Sequence, residues 1–219
     1  MTVEIDARAF RRDLLRWGRA NRRTFPWRSE TDPFRVLVAE VLLQRSRGKT
    51  VAKVYEELFR RWPDAEALAG ARVASIRSVI RPLGLVKRAE TLRDLAGAVF
   101  ERGEVPRTVQ GLLELPGVGP YAANATLAVA YGRHVPTVDG VTARVYRRYF
   151  GRPSEVPAVA DGPLWDLVEE VMPRRGVREW NWVVLDLAAT VCMPRVPRCS
   201  ECPLAGHCRW SADRVRARR

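Results

Sequence analysis

Apolar residues recur every three or four positions along most of the chain, which is the spacing of amphipathic helices. The segments with this pattern cover residues 7–20, 33–44, 50–61, 64–70, 73–80, 88–102, 108–114, 120–132, 140–150, 162–172 and 178–191. Prolines fall mostly between these segments, where helices end. No segment shows the strict alternation typical of a strand, and there is no internal repeat. The pattern therefore predicts an all-α protein of about ten or eleven helices.

A glycine-rich turn separates two of the predicted helices. Residues 115–123 read LPGVGPYAA. Gly117 and Gly119 can adopt backbone angles that other residues avoid, and Pro120 suits the first position of a helix. With residues 108–114 as its first helix, this stretch can form a helix-hairpin-helix motif whose turn amides hold a phosphate. On the turn alone, an ordinary corner between two helices fits equally well.

A single aspartate precedes the helix predicted over residues 140–150. Asp139 follows an apolar PTV in the stretch that begins at His134. A plain helix cap explains it, and that role is compatible with catalysis. The helix dipole keeps a carboxylate at this position ionised. Such an anion can stabilise the positive charge that develops on a sugar when its glycosidic bond breaks.

Composition and charge narrow the class of partner. Apolar residues make up 47% of the 219 residues, and the formal net charge is +13. Of the 38 basic residues only Lys49, Lys53 and Lys87 are lysines. A GC-rich genome explains the choice of arginine but not the excess over acidic residues, so a nucleic acid is the expected partner. No apolar run is long enough to span a membrane, and the N-terminus lacks a secretory signal. We therefore expect a cytoplasmic protein with no membrane contact.

All four cysteines lie close together near the end of the chain. Cys192, Cys199, Cys202 and Cys208 have the spacing C-x6-C-x2-C-x5-C. In an intracellular chain, this concentration favours a metal centre over disulfides. Four thiolates can hold one iron-sulfur cluster or one zinc ion, and gaps of six and five residues fit zinc ribbons poorly.

Together, LPGVGPYAA, PTVDGVTARV and the cysteine spacing resemble the helix-hairpin-helix DNA glycosylases of the endonuclease III superfamily. The resemblance covers nearly the whole chain, and it implies two helical domains flanking a DNA-binding cleft. One is a helical-barrel domain over residues 30–135 that ends in the hairpin. The other consists of residues 1–29 and 136–219 and holds a 4Fe-4S cluster on the four cysteines. The target base is expected to be flipped into a pocket between them, where its N-glycosidic bond is cut.

Tyr121 bears on the type of reaction. Members similar to endonuclease III carry a lysine at this position, which attacks the sugar and permits strand cleavage. A tyrosine cannot form a Schiff base. The resemblance therefore implies a monofunctional enzyme without AP lyase activity, in which an activated water attacks the sugar beside Asp139 and an abasic site remains.

Two monofunctional branches of the superfamily fit the sequence. The FPW motif at residues 25–27 and Glu40 within VAEVLLQRS resemble MutY-type adenine glycosylases, although the T/G mismatch thymine glycosylases also carry this glutamate. Three features favour the thymine branch. Tyr121 resembles its tyrosine, and Leu85 stands where MutY-type enzymes have a Gly-Tyr wedge. The chain also ends soon after Cys208, with no room for the domain that reads 8-oxoguanine.

The resemblance also assigns roles to residues around the target base. Glu40 lies in an otherwise apolar run, residues 36–43, so we expect it to be buried and to act as an acid or to position water. An exposed glutamate is the alternative. Gln44 and Arg45 are expected to enter the duplex near the vacated base, with Arg45 bonded to a guanine edge. An ordinary polar helix end is the alternative for both. Leu85 is expected to wedge between bases, or else to be an ordinary core leucine.

Further contacts follow from the same resemblance. Tyr121 is expected to line the pocket against a flipped pyrimidine, with core packing as the alternative. Arg195 and Arg198, between the first two cysteines, can contact the phosphate backbone. Both monofunctional branches usually carry an asparagine two residues after the aspartate, where this chain has Val141. Either another donor orients Asp139 or the pocket differs.

The leading hypothesis is a mismatch-specific DNA glycosylase that excises thymine or uracil opposite guanine in base excision repair. It would act as a monomer on double-stranded DNA with a mismatched or damaged base. The first alternative is a MutY-like adenine glycosylase that acts on adenine opposite 8-oxoguanine or guanine. The second is a DNA-binding protein that recognises DNA structure without catalysis, since a fold does not guarantee its function.

Overall fold

The computed structural model describes residues 7–216, with backbone alone for the last four. Residues 1–6 and 217–219, which the sequence assigned to the second domain, lie outside the described part. The described residues form helices and connecting turns without a strand, which confirms the all-α prediction. The helices are α1 (Ala7–Asn21), α2 (Pro33–Leu43), α3 (Gly48–Arg61), α4 (Ala65–Ala69), α5 (Val73–Ile80), α6 (Arg88–Arg102), α7 (Val109–Leu113), α8 (Pro120–Ala130), α9 (Gly140–Phe150), α10 (Gly162–Val171), α11 (Val177–Thr190) and α12 (Arg209–Arg216).

Each predicted segment corresponds to one of these helices, and the ends differ by no more than two residues. Only α12 was not predicted, because it is short and half of its residues are charged. Within the described range, no helix has the length and apolar character needed to cross a membrane.

Side-chain caps explain where several helices begin. Asp32 accepts a hydrogen bond from the Phe34 amide at 2.8 Å, and Pro33 occupies the first position of α2. Thr108 caps α7 through the Gly111 amide at 3.2 Å. These caps satisfy amides that have no partner inside the helix. They place the start of each helix close to the position that the sequence predicts.

The chain divides into two compact units. Unit 1 consists of Met1–Arg23 and His134–Arg219, and unit 2 of Thr24–Arg133. The predicted domains change at residues 30 and 136 instead. The difference at the first boundary lies in the FPW motif, where Trp27 is buried and meets the ring of Tyr55 on α3 with centroids 5.9 Å apart. This contact ties the motif to the helices of unit 2.

Unit 1 joins the first helix to the second half of the chain through an aromatic core. The ring of Phe10 on α1 lies 4.6 Å from Tyr149, 5.2 Å from Phe150, and 5.6 Å from both Tyr146 and Trp180 between centroids. Phe10 and Trp180 are fully buried. Because buried aromatic rings remove a large apolar area from water, this cluster fixes α1 against α9 and α11.

Unit 2 is built around α2, which packs against α3, α6 and α8. Its apolar residues are almost completely buried on all sides of the helix. A helix that is apolar all round belongs in the centre of a bundle. Residues that leave the C-terminal end of α2 are therefore held by a rigid support.

Candidate functional site

The glycine-rich turn joins α7 to α8 in unit 2 and forms a helix-hairpin-helix. Leu115 and Val118 of the turn are buried and fix it to the core. Gly117 has φ +76°, and a Cβ at this position would lie 2.3 Å from Cγ2 of Thr91. Gly119 caps α8 with φ −102° and has open space where a Cβ would lie. The turn therefore requires glycine at 117 but not at 119.

In unit 1, the side chain of Asp139 caps α9. Its Oδ1 accepts hydrogen bonds from the Val141 amide at 2.9 Å, the Thr142 amide at 2.7 Å and the Thr142 hydroxyl at 2.9 Å. The Asp139 amide in turn donates to Oγ1 of Thr142 at 3.0 Å, which completes a capping box. The three bonds that the carboxylate accepts all use Oδ1 and leave Oδ2 outside the capping network.

Thr142 was not predicted as a functional residue. Val141 stands where the resemblance led us to expect an asparagine, and its side chain is 39% exposed and has no polar atom. Val141 still contributes its main-chain amide, and the buried Thr142 supplies the side-chain donor. A threonine three residues after a helix-starting aspartate is the sequence signal that would have identified this donor.

Glu40 and Tyr121 both belong to unit 2, on α2 and on the first turn of α8, and these two helices pack together. Both side chains are half-buried. Glu40 is therefore less enclosed than its apolar neighbours suggested. The physical reason is its position one helical turn before Gln44, where this side of α2 emerges from the core.

A tight turn of residues Gln44–Ser46, hereafter the 44–46 turn, follows α2. The Ser46 amide closes it on the Leu43 carbonyl at 3.0 Å. Arg45 has φ +55°, which is left-handed backbone that residues other than glycine rarely adopt. The side-chain amide of Gln44 donates to the Gly117 carbonyl at 2.9 Å. This bond connects the predicted duplex-entering residues to the hairpin.

The side chain of Arg88 holds the 44–46 turn through hydrogen bonds. Its side chain is buried, and its guanidinium donates to the Leu42 carbonyl at 2.8 Å, to Oγ of Ser46 at 3.2 Å and to the Gln44 carbonyl. Burial lowers the pKa of the Arg88 guanidinium below its ordinary value, although an arginine stays charged. This role could not be predicted from the sequence, because the residues involved lie more than forty positions apart.

Leu85 lies beside the same turn, on the segment that leads into α6. Its side chain is 36% exposed, and the neighbouring Val86 is 43% exposed. Gln44, Arg45, Leu85 and Gly117 all line one open groove on unit 2. Four of the predicted DNA-contacting residues are thus brought together from three separate parts of the chain.

The four cysteines line one cavity in unit 1. None of them forms a disulfide. Burial raises the pKa of the Cys202 thiol to about 11 and also raises that of Cys208, and the neighbouring cysteines add to both shifts. In the part of the chain that the structure describes, no three His, Cys, Asp or Glu side chains form a group that could hold one metal ion. The thiols surround a cavity rather than a single point.

Two arginines of α9 hold the loop that carries the first cysteine. Arg144 donates to the Cys192 carbonyl at 2.8 Å and to the Ala188 carbonyl at 2.9 Å. Arg148 donates to the Met193 carbonyl at 2.8 Å, and its Nη1 lies 3.5 Å from Sγ of Cys192. The helix that Asp139 caps is therefore also the helix that supports the cysteine loop.

The two predicted phosphate-contacting arginines lie on that loop. Arg195 and Arg198 are both exposed, and Arg198 forms a 3.8 Å ion pair with Glu201. Exposed ion pairs of this length contribute little to stability. Both guanidiniums are accessible to a polyanion.

Comparison with known proteins gives a consistent result. The family model described as "HhH-GPD superfamily base excision DNA repair protein" matches residues 38–170. The thymine-DNA glycosylase of Aeropyrum pernix is 38% identical over 207 residues, which cover 91% of this chain and 93% of that protein. The thymine/uracil-DNA glycosylase of Methanothermobacter thermautotrophicus is 34% identical over 200 residues, or 90% of each protein.

A solved structure extends the similarity to the fold. The structure of a thermostable thymine-DNA glycosylase is 33% identical, and it superimposes with a TM-score of 0.89 over 94% of this chain and 97% of that one. The family model spans more than half of the chain and includes the hairpin, Glu40, Tyr121 and Asp139. The chain belongs to the HhH-GPD superfamily of base excision DNA repair proteins.

Proposed function

We propose that this protein is a monofunctional DNA glycosylase that removes thymine or uracil opposite guanine. The observation that carries the proposal is the Asp139 carboxylate, fixed at the start of α9 by three hydrogen bonds to one oxygen. Relatives named thymine-DNA and thymine/uracil-DNA glycosylases support the choice of base. The protein is proposed to act as a monomer in the cytoplasm.

In the proposed reaction, Asp139 stabilises a cationic sugar. The C1′–N bond breaks and its electron pair leaves with the base, while the sugar develops oxocarbenium character. The fixed carboxylate lowers the energy of this charge because its orientation is set before the reaction begins. A water molecule then adds to C1′ and gives up a proton, and the released base takes up a proton. The products are a free base and an abasic site.

Glu40 and Tyr121 are proposed to act on the same nucleotide from unit 2. A half-buried carboxylate can orient the attacking water or contact the base. The Tyr121 ring offers an apolar face for a flipped pyrimidine, and such stacking is worth about 1–3 kcal/mol per base in single-strand binders. Because no lysine occupies position 121, the sugar is not expected to form a Schiff base with the enzyme.

The duplex is proposed to be held by contacts from both units. On unit 2, the hairpin amides at Gly117 and Gly119 contact phosphate, Arg45 reads the base opposite the lesion, and Leu85 enters the base stack. On unit 1, the exposed Arg195 and Arg198 contact the backbone. The net charge of +13 supports this assignment, since phosphate neutralisation supplies much of the affinity of proteins for DNA.

The four cysteines are proposed to hold a 4Fe-4S cluster. The donor set fits, because four free thiols line one cavity and a cluster of this type takes four thiolate ligands. A single zinc ion would instead draw four sulfurs to about 2.3 Å from one point. The cluster would supply a rigid crosslink to the loop that carries Arg195 and Arg198. Purified protein should be yellow-brown with four irons per chain, whereas a colourless protein with one zinc would contradict this assignment.

A panel of defined duplexes tests the proposed activity. Under single-turnover conditions we expect base release from T:G and U:G pairs, and strand breaks only after treatment with alkali. Strand breaks without alkali, together with an adduct trapped by borohydride, would contradict the monofunctional reaction. Release of adenine opposite 8-oxoguanine or guanine, with no release of thymine or uracil, would instead support the MutY-like alternative. A folded protein that binds these duplexes but releases no base would support the DNA-binding alternative.

A further inference from the structure

The groove on unit 2 is lined in part by a buried arginine, Arg88. Arg88 lines the groove but is only 9% exposed, so most of its side chain is removed from water. Removing a charge from water is unfavourable unless several hydrogen bonds satisfy it. Arg88 meets this requirement with three acceptors, at Leu42, Gln44 and Ser46, all at the end of α2 or in the 44–46 turn.

These bonds determine the shape of the turn. The last carbonyls of a helix have no partner within it, and a cation beside them is favourable. The left-handed backbone of Arg45 is strained for an arginine and persists only where its surroundings fix it. Arg88 holds the turn on one side, and the bond from Gln44 to Gly117 holds it on the other.

Arg88 is also the first residue of α6, and its main chain contacts the preceding segment, which carries Leu85. The Arg88 amide donates to the Leu85 carbonyl at 3.0 Å, and the next amide, of Ala89, donates to the Val86 carbonyl at 3.2 Å. The main chain of Arg88 therefore holds the Leu85 segment, while its side chain holds the 44–46 turn. Arg88 therefore connects the segment of Leu85 with the turn of Arg45.

We infer that Arg88 is a positioning residue that determines how strongly the enzyme prefers guanine opposite the lesion. This inference rests on the proposed function of the groove. A guanine edge is read by a bidentate bond, and such recognition is lost when the reading group moves by more than about 0.5 Å. Phosphate contacts tolerate such a shift, so the loss of Arg88 should reduce selectivity more than overall affinity.

The test uses binding, so that it does not depend on catalysis. Duplexes with a tetrahydrofuran abasic analogue opposite guanine or adenine are titrated with the full-length protein, and affinity is measured by fluorescence anisotropy. For Arg88→Met we expect the preference for guanine over adenine to fall about tenfold. Affinity for a fully paired duplex should change less than twofold. Arg88→Lys should behave like Arg88→Met, because one ammonium group cannot reach all three acceptors.

Three further variants separate positioning from general stability. Ser46→Ala removes a single bond of Arg88, so it should reduce the preference by less than Arg88→Met while the protein stays folded. This variant and Arg88→Lys decide the question if Arg88→Met does not fold. In an Arg45→Ala background, Arg88→Met should cause no further loss of preference. Arg47→Ala changes an exposed arginine beyond the turn and should weaken binding to all duplexes alike.

Several outcomes would overturn the inference. One is a lower melting temperature of the Arg88 variants with an unchanged preference for guanine. Another is an equal loss of preference with and without Arg45. A wild-type protein that binds both abasic duplexes equally would also overturn it. If the wild-type protein prefers guanine in binding but releases no base, the proposed function fails, whereas the inference about Arg88 is still tested by the variants.

Discussion

The Asp139 cap and the 44–46 turn are held in opposite ways. Asp139 is fixed by the amides and hydroxyl of residues two and three positions further along the chain. The 44–46 turn is fixed by Arg88, 44 positions away, and by Gly117, 73 positions away. The proposed catalytic carboxylate is therefore positioned by local structure, and the proposed base-reading turn by the tertiary fold. Changes that move the 44–46 turn should therefore affect DNA recognition and leave the position of Asp139 unchanged.

Asp139→Asn should have the largest effect on the rate of base release. It separates the chemical step from DNA binding, which should be nearly unchanged. Asparagine keeps the cap, since its side-chain oxygen accepts the same amide bonds, but it removes the negative charge. We expect a loss of roughly 10³-fold in the single-turnover rate of base release, with binding to an abasic-analogue duplex within about twofold of wild type. Near-normal base release by this variant would refute the proposed mechanism.

Gly117→Ala should have the largest effect on the region held by the tertiary fold. It introduces a Cβ 2.3 Å from Thr91 at a positive φ angle, so we expect a loss of roughly 2–4 kcal/mol in the free energy of unfolding together with weaker DNA binding. Gly119→Ala is the matched control and should change stability by less than about 0.5 kcal/mol. Denaturant unfolding measures both.

A second-site change sharpens this prediction. Thr91→Ser removes the methyl group that the new Cβ would meet. In the double variant with Gly117→Ala, only the strain of the positive φ angle remains, and roughly 1 kcal/mol should be lost. If the double variant is as unstable as Gly117→Ala alone, the clash with Thr91 is not the cause.

Thr142→Val tests whether the local network alone orients Asp139. Valine has the same shape but cannot donate to Oδ1 or accept from the Asp139 amide. We expect a loss of about 1–2 kcal/mol in stability and about tenfold in the rate of base release. Thr142→Ser, which keeps the hydroxyl, should retain most of both. An unchanged rate in Thr142→Val would mean that backbone amides suffice.

Leu85→Ala should have the smallest effect on base release, and it tests only the contact of Leu85 with the duplex. The side chain is partly exposed, so its loss should change stability little. Because a wedge stabilises the unstacked duplex, we expect base release from T:G pairs to slow about fivefold, by roughly the energy of a weak base contact. Val86→Ala is the neighbouring control. Equal effects of the two variants would argue against a specific wedge.

The contrast between the two regions also shows what the sequence could predict. Helix periodicity predicted α1 to α11, and the sequence correctly placed Asp139 at the start of α9, while its catalytic role stays a prediction. The burial of Glu40 was overestimated, because the apolar run does not show where α2 leaves the core. Arg88 and Thr91 were missed altogether. Their roles depend on contacts between distant segments, and no pattern within a short window encodes such contacts.

The arrangement of the two units affects how the protein is made. Unit 2 is one continuous segment, so it can fold while the remainder is still being synthesised. Phe10 can be buried only after Tyr146 and Trp180 have been synthesised, because their rings complete its aromatic cluster. Until then α1 exposes an apolar face to chaperones or to other nascent chains. The cysteine loop follows unit 2 in the chain, so the proposed cluster would be inserted after the whole of unit 2 has been synthesised.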